Sequence, residues 1–487
     1  MHMKEYQNYI NGKWVHSPSR KTFDSLNPAT EKSLGAFQLS TREDVHAAIE
    51  AAQKAQKEWK EIPAPKRADY LFEISHLLKK NKEKLAVSMT EEMGKVLKET
   101  RGDVQEAIDV FEYMAGEGRR LYGHTTPSEL KHKLAFTMRI PVGVVGLITP
   151  WNFPMAIPAW KIAPALICGN TIVFKPSSDT PRCATELVQI IEEAGVPAGV
   201  VNLVTGGSNE VGKEIVMNEK VRGISFTGSR ETGKWITQNA GIKKMGLELG
   251  GKNAIIVEED ADLDNAVEGI VWGAFGTTGQ RCTACSRIIV HEKIAKKLEE
   301  KLVHAVQKLK LGNGLDKKTD VGPLINKAAQ EKSQMYVQVG KKEGKLVCGG
   351  KKGEMDGYFF EPTIFSRVKA SARIAQEEIF GPVLSLITVK SLNEAIRVCN
   401  GVEYGLSSSI YTQNIQKAML AIENIEAGIT YVNSSTIGAE VHLPFGGIKQ
   451  TGNGTREAGI EGIHEFSETK TVYIDYSGKL QKAQGID

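Results

Sequence analysis

The sequence predicts an α/β protein in which helices cover both faces of parallel β-sheets. Apolar, β-rich runs alternate with helical runs in two successive series. The first series has strands at 142–148, 170–175, 200–204, 222–226 and 253–257, with helices at 181–194, 208–217 and 230–240. The second has strands at 286–291, 382–390 and 406–411, with helices at 293–310 and 326–343. Such alternation favours parallel sheets, whose ligands bind beyond the carboxyl ends of the strands.

The N-terminal part of the chain is predicted to be mainly helical. Ser40-Thr41-Arg42-Glu43 fits a capping box, in which a hydroxyl and a carboxylate satisfy the first free N–H groups of a helix. Apolar residues at helical spacing follow it. Residues 66–122 indicate two or three further amphipathic helices.

Composition narrows the class of protein. The 487 residues are 41% hydrophobic and 25% charged, which is typical of a globular protein of about two to four domains. With 62 basic and 58 acidic residues the net charge is +4, so nucleic acid is not an expected partner. Six cysteines in so long a chain indicate reduced thiols rather than a disulfide framework. We therefore expect a cytoplasmic protein, and the polar N-terminus lacks the apolar run of a signal peptide.

One uncharged stretch, residues 142–160, is long enough to imitate a membrane span. Pro150, Pro154 and Pro158 lie inside it, and they are incompatible with a straight spanning helix. We expect a buried strand at 142–148 that runs into an irregular functional loop, and no membrane partner.

Three residue types for acyl chemistry occur in separate, glycine-rich turns. Cys282 ends the run Gly279-Gln280-Arg281-Cys282, and Glu248 begins the run Glu248-Leu249-Gly250-Gly251. A thiol attacks a carbonyl carbon, and a carboxylate then activates water to release the acyl group. Asn152 supplies a hydrogen-bond donor for an oxyanion. No metal site is expected, because neither a second cysteine pair nor a histidine pair accompanies Cys282 and Cys285.

Two strand ends carry residues suited to a phosphate-bearing ligand. Lys175 ends one predicted strand, and Thr227-Gly228-Ser229 ends another and begins a helix through Gly233. Free N–H groups at a helix N-terminus favour an anion such as a pyrophosphate. The spacing from Gly228 to Gly233 does not match the three-glycine dinucleotide fingerprint.

Two further segments, 125–141 and about 467–476, are β-like but have no obvious partner strand in their own chain. Unpaired sheet edges invite pairing with another chain. We therefore expect both segments to pair with another subunit.

As a set, these motifs resemble those of the NAD(P)-dependent aldehyde dehydrogenase superfamily. The likeness extends from Asn27-Pro28-Ala29-Thr30 to Lys470-Thr471-Val472. The segments that carry it are Pro150-Trp151-Asn152-Phe153-Pro154, Lys175-Pro176-Ser177, Phe226-Thr227-Gly228-Ser229, Glu248-Leu249-Gly250-Gly251, Gly279-Gln280-Arg281-Cys282, Glu377-Glu378-Ile379-Phe380-Gly381-Pro382 and Pro444-Phe445-Gly446-Gly447.

The resemblance implies a three-part fold. A Rossmann-type cofactor domain covers 1–124 and 142–252, and an α/β catalytic domain covers 253–450. A β oligomerisation arm at 125–141 and a C-terminal tail at 451–487 join subunits into a homodimer or homotetramer.

The resemblance also implies a reaction and a role for each site residue. Cys282 forms a thiohemiacetal and then a thioester, Asn152 and the Cys282 N–H hold the oxyanion, and Glu248 activates water. Lys161 and Glu457 match a proton-relay pair. The expected cofactor residues are Ile148, Thr149, Pro150, Trp151, Lys175, Ser177, Ser178, Gly228, Ser229, Thr232, Leu249, Gly250, Glu378 and Phe380. The expected substrate tunnel is formed by Phe153, Trp160, Arg281, Thr283 and Phe445, with simple core packing as the alternative for its aromatic residues.

Two departures from the family pattern bear on specificity. Ser178 stands where NAD-preferring members often carry Glu, so NADP is expected to be accepted and favoured over NAD. Arg281 precedes the nucleophile, where many relatives have a small or apolar residue. It is either an anchor for a carboxylated aldehyde or an arginine that ties loops together.

The substrate and some roles stay open at this point. The runs at 115–120 and 157–161 look similar to those of α-ketoglutaric semialdehyde dehydrogenases, while a broad range of aldehydes is the alternative. Trp160 stands where the succinic semialdehyde branch has an arginine. Two other functions remain: transfer of the acyl group to coenzyme A, and a catalytically silent binding or structural relative. Cys285 is either a redox partner of Cys282 or a small buried residue.

Overall fold

The computed structural model describes residues 4–484 and confirms the α/β prediction. In chain order the strands are β1 (Asn8–Ile10), β2 (Lys13–Val15), β3 (Thr22–Leu26), β4 (Ser33–Gln38), β5 (Thr125–Thr126), β6 (Lys133–Pro141), β7 (Val144–Ile148), β8 (Thr171–Lys175), β9 (Val201–Leu203), β10 (Gly223–Thr227), β11 (Lys244–Glu248), β12 (Asn253–Val257), β13 (Cys285–His291), β14 (Lys345–Cys348), β15 (Thr363–Ser366), β16 (Val383–Val389), β17 (Tyr404–Gly405), β18 (Ser407–Tyr411), β19 (Ile429–Val432), β20 (Ile448–Lys449) and β21 (Ser467–Asp475).

The helices complete the alternation that the sequence predicts. They are α1 (Arg42–Trp59), α2 (Ala64–Met93), α3 (Leu97–Glu117), α4 (Ala156–Ile167), α5 (Pro181–Glu193), α6 (Lys213–Met217), α7 (Arg230–Asn239), α8 (Leu263–Phe275), α9 (Glu292–Val306), α10 (Lys327–Glu343), α11 (Arg373–Gln376), α12 (Leu392–Asn400), α13 (Ile415–Asn424) and α14 (Gly459–Glu465). The helix expected at 208–217 is a π-helical turn over Ser208–Gly212 that continues into α6.

The first large sheet positions the carboxyl ends of three parallel strands side by side. Its seven strands have the order β11-β10-β7-β8-β9-β1-β2, and β7 to β11 are parallel. The chain moves from β7 to β8 and β9 on one side and returns to β10 on the other. A change of direction of this kind leaves a crevice at the strand ends, where ligands bind in open α/β sheets.

The second large sheet has the order β14-β15-β16-β13-β12-β18-β19, and it is parallel except for β14. Its apolar side chains pack against helices on both faces, with Ile255 and Ile288 on one face and Ile256 and Ile289 on the other. Runs that are apolar without alternation, such as Asn253–Val257, are typical of strands buried on both faces. The two sheets correspond to the two expected α/β parts, whose boundaries stay a prediction.

A third sheet corrects the expectation that 125–141 and 467–476 lack partners in their own chain. β21 pairs antiparallel with β6 over its whole length, from Ser467↔Pro141 to Asp475↔Lys133, and β5 adds a short third strand. The partner of each segment lies more than 300 residues away, which local sequence patterns do not reveal.

Two local predictions were wrong. The N-cap of α1 is Thr41, whose N–H donates to Asp44 Oδ2 at 2.9 Å, because the hydroxyl of Ser40 is bound by Asn8 Nδ2 at 2.8 Å. The irregular loop after β7 is also shorter than expected, since α4 begins at Ala156. Pro158 is tolerated because it lies in the first turn, where N–H groups have no acceptor within the helix.

Across residues 4–484, no helix has both the length and the apolar character needed to cross a membrane.

Candidate functional site

Three connected spaces lie between the two large sheets, and the first is a groove at the strand ends of the first sheet. The groove receives side chains from the ends of β7, β8 and β10 and from the start of α7. Its walls include Ile148, Thr149, Pro150, Trp151, Lys175, Ser177, Ser178, Lys213, Gly228, Ser229 and Thr232.

The second space, the cleft, continues the groove toward the second sheet. It shares Trp151, Gly228 and Ser229 with the groove and adds Asn152, Leu249, Gly250, Cys282, Glu378 and Phe380. All cofactor residues expected from the sequence therefore line either the groove or the cleft.

The third space, the cavity, opens on the other side of Cys282 and has a volume of about 740 Å³. It is lined by Glu106, Phe153, Trp160, Glu248, Leu249, Arg281, Cys282, Thr283, Phe445 and Glu457, among others. Cys282 lies on both the cleft and the cavity, so one thiol faces the ends of two different ligand spaces.

The loop before Cys282 holds an unusual backbone conformation. Thr277 and Thr278 have φ values of 52° and 57°, a left-handed region that β-branched residues rarely adopt. The Thr277 N–H donates to Glu99 Oε1 at 2.9 Å, and the Thr278 hydroxyl donates to the Gly322 carbonyl at 2.9 Å. These contacts to other elements maintain the loop and thereby fix the direction of Cys282.

The Cys282 side chain is half-buried beneath the two spaces. Burial, followed by the nearby Glu248 and Glu378 carboxylates, raises the pKa of its thiol to about 12. The thiol is therefore protonated at neutral pH and needs a base to become a nucleophile. Its backbone carbonyl accepts a hydrogen bond from Asn253 Nδ2 at 2.7 Å, which anchors the residue to the first strand of the second sheet.

Asn152 lies on the cleft wall next to Cys282 and is 2% exposed. Its amide nitrogen donates to the Gln280 carbonyl at 3.0 Å, which leaves its second N–H for another acceptor. Its Oδ1 is buried, with no hydrogen-bond partner in the described part of the chain. A side chain fixed at one N–H can present the other to an oxyanion without reorganisation.

Glu248 ends β11 and projects into the cavity. Neither of its carboxyl oxygens has a hydrogen-bond partner among residues 4–484, although the side chain is buried. Burial, and next the charge of Glu457, raise its pKa well above the usual value of a glutamate. An unpartnered carboxyl with a raised pKa that faces a thiol is suited to accept protons.

The predicted pair Lys161 and Glu457 forms an ion pair behind the cavity wall. Lys161 is fully buried on α4, and its ammonium also donates to the Ser225 hydroxyl at 2.8 Å. The sequence did not single out Ser225 or the neighbouring buried Glu465, because one is a small residue inside a strand and the other reads as a surface glutamate on a short helix. Glu457 lines the cavity, whereas Lys161 stands behind it.

The strand-end lysine fits an anionic ligand. Lys175 is 6% exposed, its Nζ donates to the Pro176 carbonyl at 3.0 Å, and burial lowers its pKa to about 8. An anion in the groove would restore the charge that burial disfavours. Ser178 is exposed on the same wall, and its hydroxyl donates to the Gly206 carbonyl at 3.2 Å. Lys213, which the sequence did not indicate, lines the groove as well.

Ser229 caps α7 by accepting a hydrogen bond from the Thr232 N–H at 3.2 Å. The first turn of α7 therefore faces the groove with its positive end. Gly233 has a packing role instead of a place in a fingerprint, because a Cβ there would approach Leu249 Cδ2 to 2.5 Å.

The far wall of the cleft is formed by Glu378 and Phe380. Glu378 Oε1 accepts a hydrogen bond from the Gly251 N–H at 2.8 Å, and a Cβ on Gly250 would meet Glu378 Oε2 at 2.4 Å. Phe380, with a φ of 59°, lies edge-on to Trp151 at 5.5 Å between ring centroids. The glycines thus keep space for a carboxylate that accepts hydrogen bonds, as a ribose requires.

The expected tunnel residues Phe153, Trp160, Arg281, Thr283 and Phe445 all line the cavity. Trp160 and Phe445 are edge-on at 4.9 Å. Glu106, which no motif indicated, lies there too, and burial followed by Asp103 raises its pKa to about 8.

Arg281 takes part in both arrangements that its sequence position suggested. Its guanidinium donates to Thr277 Oγ1 at 2.9 Å and to Glu99 Oε1 at 3.2 Å, so it ties the strained loop to α3. It also lies over the rings of Phe153 and Trp272, at 5.4 and 4.8 Å, and lines the cavity. These contacts use two of its five N–H donors.

Cys285 points away from Cys282 into the apolar core of the second sheet. It is buried, its thiol contacts the Arg287 carbonyl at 3.5 Å, and burial raises its pKa to about 12. These contacts favour the interpretation of Cys285 as a small core residue.

Comparisons with known proteins agree with the geometry. A model of the aldehyde dehydrogenase family matches residues 14–472. The chain is 43% identical over 477 residues to the α-ketoglutaric semialdehyde dehydrogenase of Bacillus subtilis, covering 96% of this chain and 98% of that protein. It is 40% identical to the NADP-dependent succinate-semialdehyde dehydrogenase of Escherichia coli, covering 96% and 97%. The betaine aldehyde dehydrogenase of Staphylococcus aureus in complex with NAD+ superposes with a TM-score of 0.96 at 36% identity, covering 100% and 97%.

Proposed function

We propose that this chain, which belongs to the aldehyde dehydrogenase family and oxidises an aldehyde to a carboxylic acid with NAD or NADP, works through a thioester on Cys282. The observation that carries the proposal is the position of Cys282 between the cleft and the cavity, with Glu248 on the same cavity wall. A nucleophile there reaches a substrate from one side and a cofactor from the other.

In the first step Cys282 loses its proton, and its sulfur forms a bond to the aldehyde carbon. Glu248 is the base available in the cavity, and its raised pKa favours proton uptake. The carbonyl oxygen becomes an oxyanion, which the free N–H of Asn152 and the Cys282 N–H stabilise. Removing one such donor costs about a hundred- to a thousandfold in rate.

The bound nicotinamide cofactor supplies a hydride acceptor, so the thiohemiacetal carbon becomes a thioester carbon. Trp151 and Phe380 wall the cleft and Glu378 offers oxygens to ribose hydroxyls, which keeps the reactive ring oriented toward Cys282. Glu248 then takes a proton from water, the hydroxide oxygen bonds to the acyl carbon, and the carbon–sulfur bond breaks to release thiolate and acid.

For the substrate, we infer an aldehyde that carries a carboxylate, with α-ketoglutaric semialdehyde as the leading candidate. Arg281 places a cation with unused donors on the cavity wall, directly beside the nucleophile in sequence. The Bacillus subtilis relative is named for the same substrate. Trp160 occupies the position at which the succinic semialdehyde branch carries arginine, which weighs against the shorter semialdehyde.

For the cofactor, we infer that NADP is favoured. Ser178 presents a hydroxyl rather than a carboxylate to the groove, and Lys175 and Lys213 line the same space. Two amines and a hydroxyl suit a 2′-phosphate, which a glutamate at position 178 would repel.

For partners, we infer a homodimer or homotetramer formed through the sheet of β5, β6 and β21. Within the described residues, β21 pairs on one side only, and its exposed apolar side chains include Tyr473 and Ile474, at 64% and 47% exposure. β19 leaves a second open edge on the second large sheet. We also infer a cytoplasmic location, since the six cysteines are free thiols.

The domain division at 1–124 with 142–252, 253–450, and 125–141 with 451–487 is part of the same proposal. The first large sheet ends at Glu248 and the second begins at Asn253, which supports the central boundary.

A panel of aldehydes with NAD and NADP tests the proposal through the absorbance of the reduced nicotinamide. We expect the highest kcat/KM with α-ketoglutaric semialdehyde and NADP, a free acid as the product, and no oxidation by Cys282→Ala. An acyl-coenzyme A product formed only with added coenzyme A would favour the acylating alternative. Full activity of Cys282→Ala would contradict the assignment of the nucleophile.

A further inference from the structure

Three buried carboxyl groups share one ion-paired ammonium at the back of the cavity. Glu248, Glu457 and Glu465 are 3%, 3% and 6% exposed, and Lys161 is fully buried. Lys161 pairs with Glu457. One ammonium compensates one carboxylate, so the other two carboxyls lie in a poorly solvated region without a matching cation of their own.

Glu465 belongs to this cluster although it lies on α14, outside the cavity. Its carboxyl rests on β11, because a Cβ placed on Gly246 would come within 1.9 Å of Glu465 Oε1. Gly246 is two residues before Glu248 on the same strand. Neither oxygen of Glu465 has a hydrogen-bond partner of good geometry in the part of the chain that the structure describes.

Ser225 connects Glu465 with the ion pair. Its hydroxyl accepts from Lys161 Nζ at 2.8 Å and also interacts with the Glu465 carboxyl, whose pKa it lowers. Burial, and next Glu457, nevertheless raise the pKa of Glu465 to about 7. Hydroxyl, ammonium and carboxyl groups thus form a continuous series of proton donors and acceptors from Glu457 to Glu465.

The remaining charged groups around Glu465 do not compensate it. Lys244 on β11 lies nearby, but its ammonium donates to the carbonyls of His464 and Ser467, at 2.6 and 2.5 Å. The titratable and charged groups that face Glu465 are Lys161 on α4, Glu248 and Lys244 on β11 and Glu457 before α14; Cys168 after α4 and Arg139 on β6 lie around Lys244.

We propose that Glu465 is a positioning residue that acts through Glu248: it takes up the proton that Glu248 has removed from water, passed on through Glu457, Lys161 and Ser225. The inference rests on the proposed role of Glu248 as the base in thioester hydrolysis. Two carboxyls that compete for one missing cation cannot both be ionised, so they share a proton as a coupled pair.

The proton balance closes over one turnover. Before hydrolysis Glu248 is ionised and Glu465 holds the shared proton. Glu248 takes one proton from water while the hydroxide bonds to the acyl carbon and sulfur leaves as thiolate. Glu465 then releases its proton to solvent, and the proton on Glu248 moves by single hops along the series to Glu465, which restores the ionised base.

Rapid-quench mass spectrometry of the acyl-enzyme tests the inference, because it separates formation of the thioester from its hydrolysis. In Glu465→Gln we expect unchanged formation and hydrolysis slowed roughly tenfold, less than the hundredfold or more that a direct proton-transfer group supplies. The acidic limb of the pH profile for hydrolysis moves to lower pH, since a negative charge that raises the pKa of Glu248 has been removed.

Two further variants separate the proton path from the charge. Ser225→Ala interrupts the path but keeps the Glu465 charge, so hydrolysis slows while the acidic limb stays in place. Glu468→Gln removes an exposed carboxylate on the adjacent β21 and leaves both quantities unchanged.

Hydrolysis by Glu465→Gln at the native rate with an unmoved limb overturns the inference. An equal loss in formation and hydrolysis, with a lowered melting temperature, shows a structural role and overturns it as well. Failure of the proposed function gives a different result, in which Glu248→Gln no longer accumulates an acyl-enzyme on Cys282.

Discussion

Substituting Arg281 by lysine separates recognition of a carboxylate from support of the Cys282 loop. Lysine keeps a positive charge opposite the buried Glu99, so no carboxylate is left uncompensated there. It loses the planar fork that can bind a substrate carboxylate with two N–H groups. The change therefore removes mainly one charge-assisted hydrogen bond to the substrate.

The size of the effect follows from that lost bond. Arg281 is 12% exposed in its side chain, so solvent screens the interaction little. A hydrogen bond to a charged group contributes about 1.5–3 kcal/mol, which corresponds to roughly a ten- to hundred-and-fiftyfold loss in kcat/KM. We expect this loss with α-ketoglutaric semialdehyde and a loss below about twofold with butanal, which has no carboxylate to bind.

The assay is steady-state oxidation of both aldehydes at saturating NADP. Arg101→Lys is the matched control, because Arg101 binds Glu83 on the exposed surface through two N–H groups at 2.8 and 2.6 Å. Equal losses with both aldehydes would show that Arg281 acts only by holding the loop. Unchanged kinetics with both would refute either role.

Three other predictions concern the cofactor, pH and assembly. Ser178→Glu shifts the ratio of kcat/KM for NADP over NAD toward NAD by about tenfold or more, since a carboxylate repels the 2′-phosphate; an unchanged ratio would show that Ser178 does not face it. Hydrolysis and thiol attack both need deprotonated groups whose pKa values burial raises, so kcat/KM increases from about pH 6 to pH 9; a decrease over this range would contradict the assignments of Glu248 and Cys282. Light scattering gives the mass of two or four chains, and the mass of one chain would refute the proposed assembly.

Much of the fold follows from local sequence signals. The parallel strands read as short apolar runs bounded by turns, and residues such as Ile255 and Ile289 take the predicted buried positions. The pairing of β6 with β21 could not be predicted, because it joins segments more than 300 residues apart and both are largely polar and exposed. The cap of α1 was displaced by one residue, since Ser40 and Thr41 offer the same hydroxyl and only Asn8 distinguishes them.

The site shows the same division. Cys282, Glu248 and Asn152 stand in glycine- and proline-rich turns that a plain core does not require, so sequence reasoning found them. Ser225 and Glu465 have no such signal. Their proximity to Lys161 depends on how α4, α14 and the first sheet pack together.

The chemical claim on which all else depends is a covalent acyl group on one sulfur, released by one carboxylate. Intact-mass and peptide mass spectrometry of Glu248→Gln, mixed with aldehyde and NADP, tests it directly. We predict one acyl group on Cys282 per chain, together with a single burst of reduced cofactor. A burst without an adduct on Cys282, or an adduct on another residue, would contradict the account.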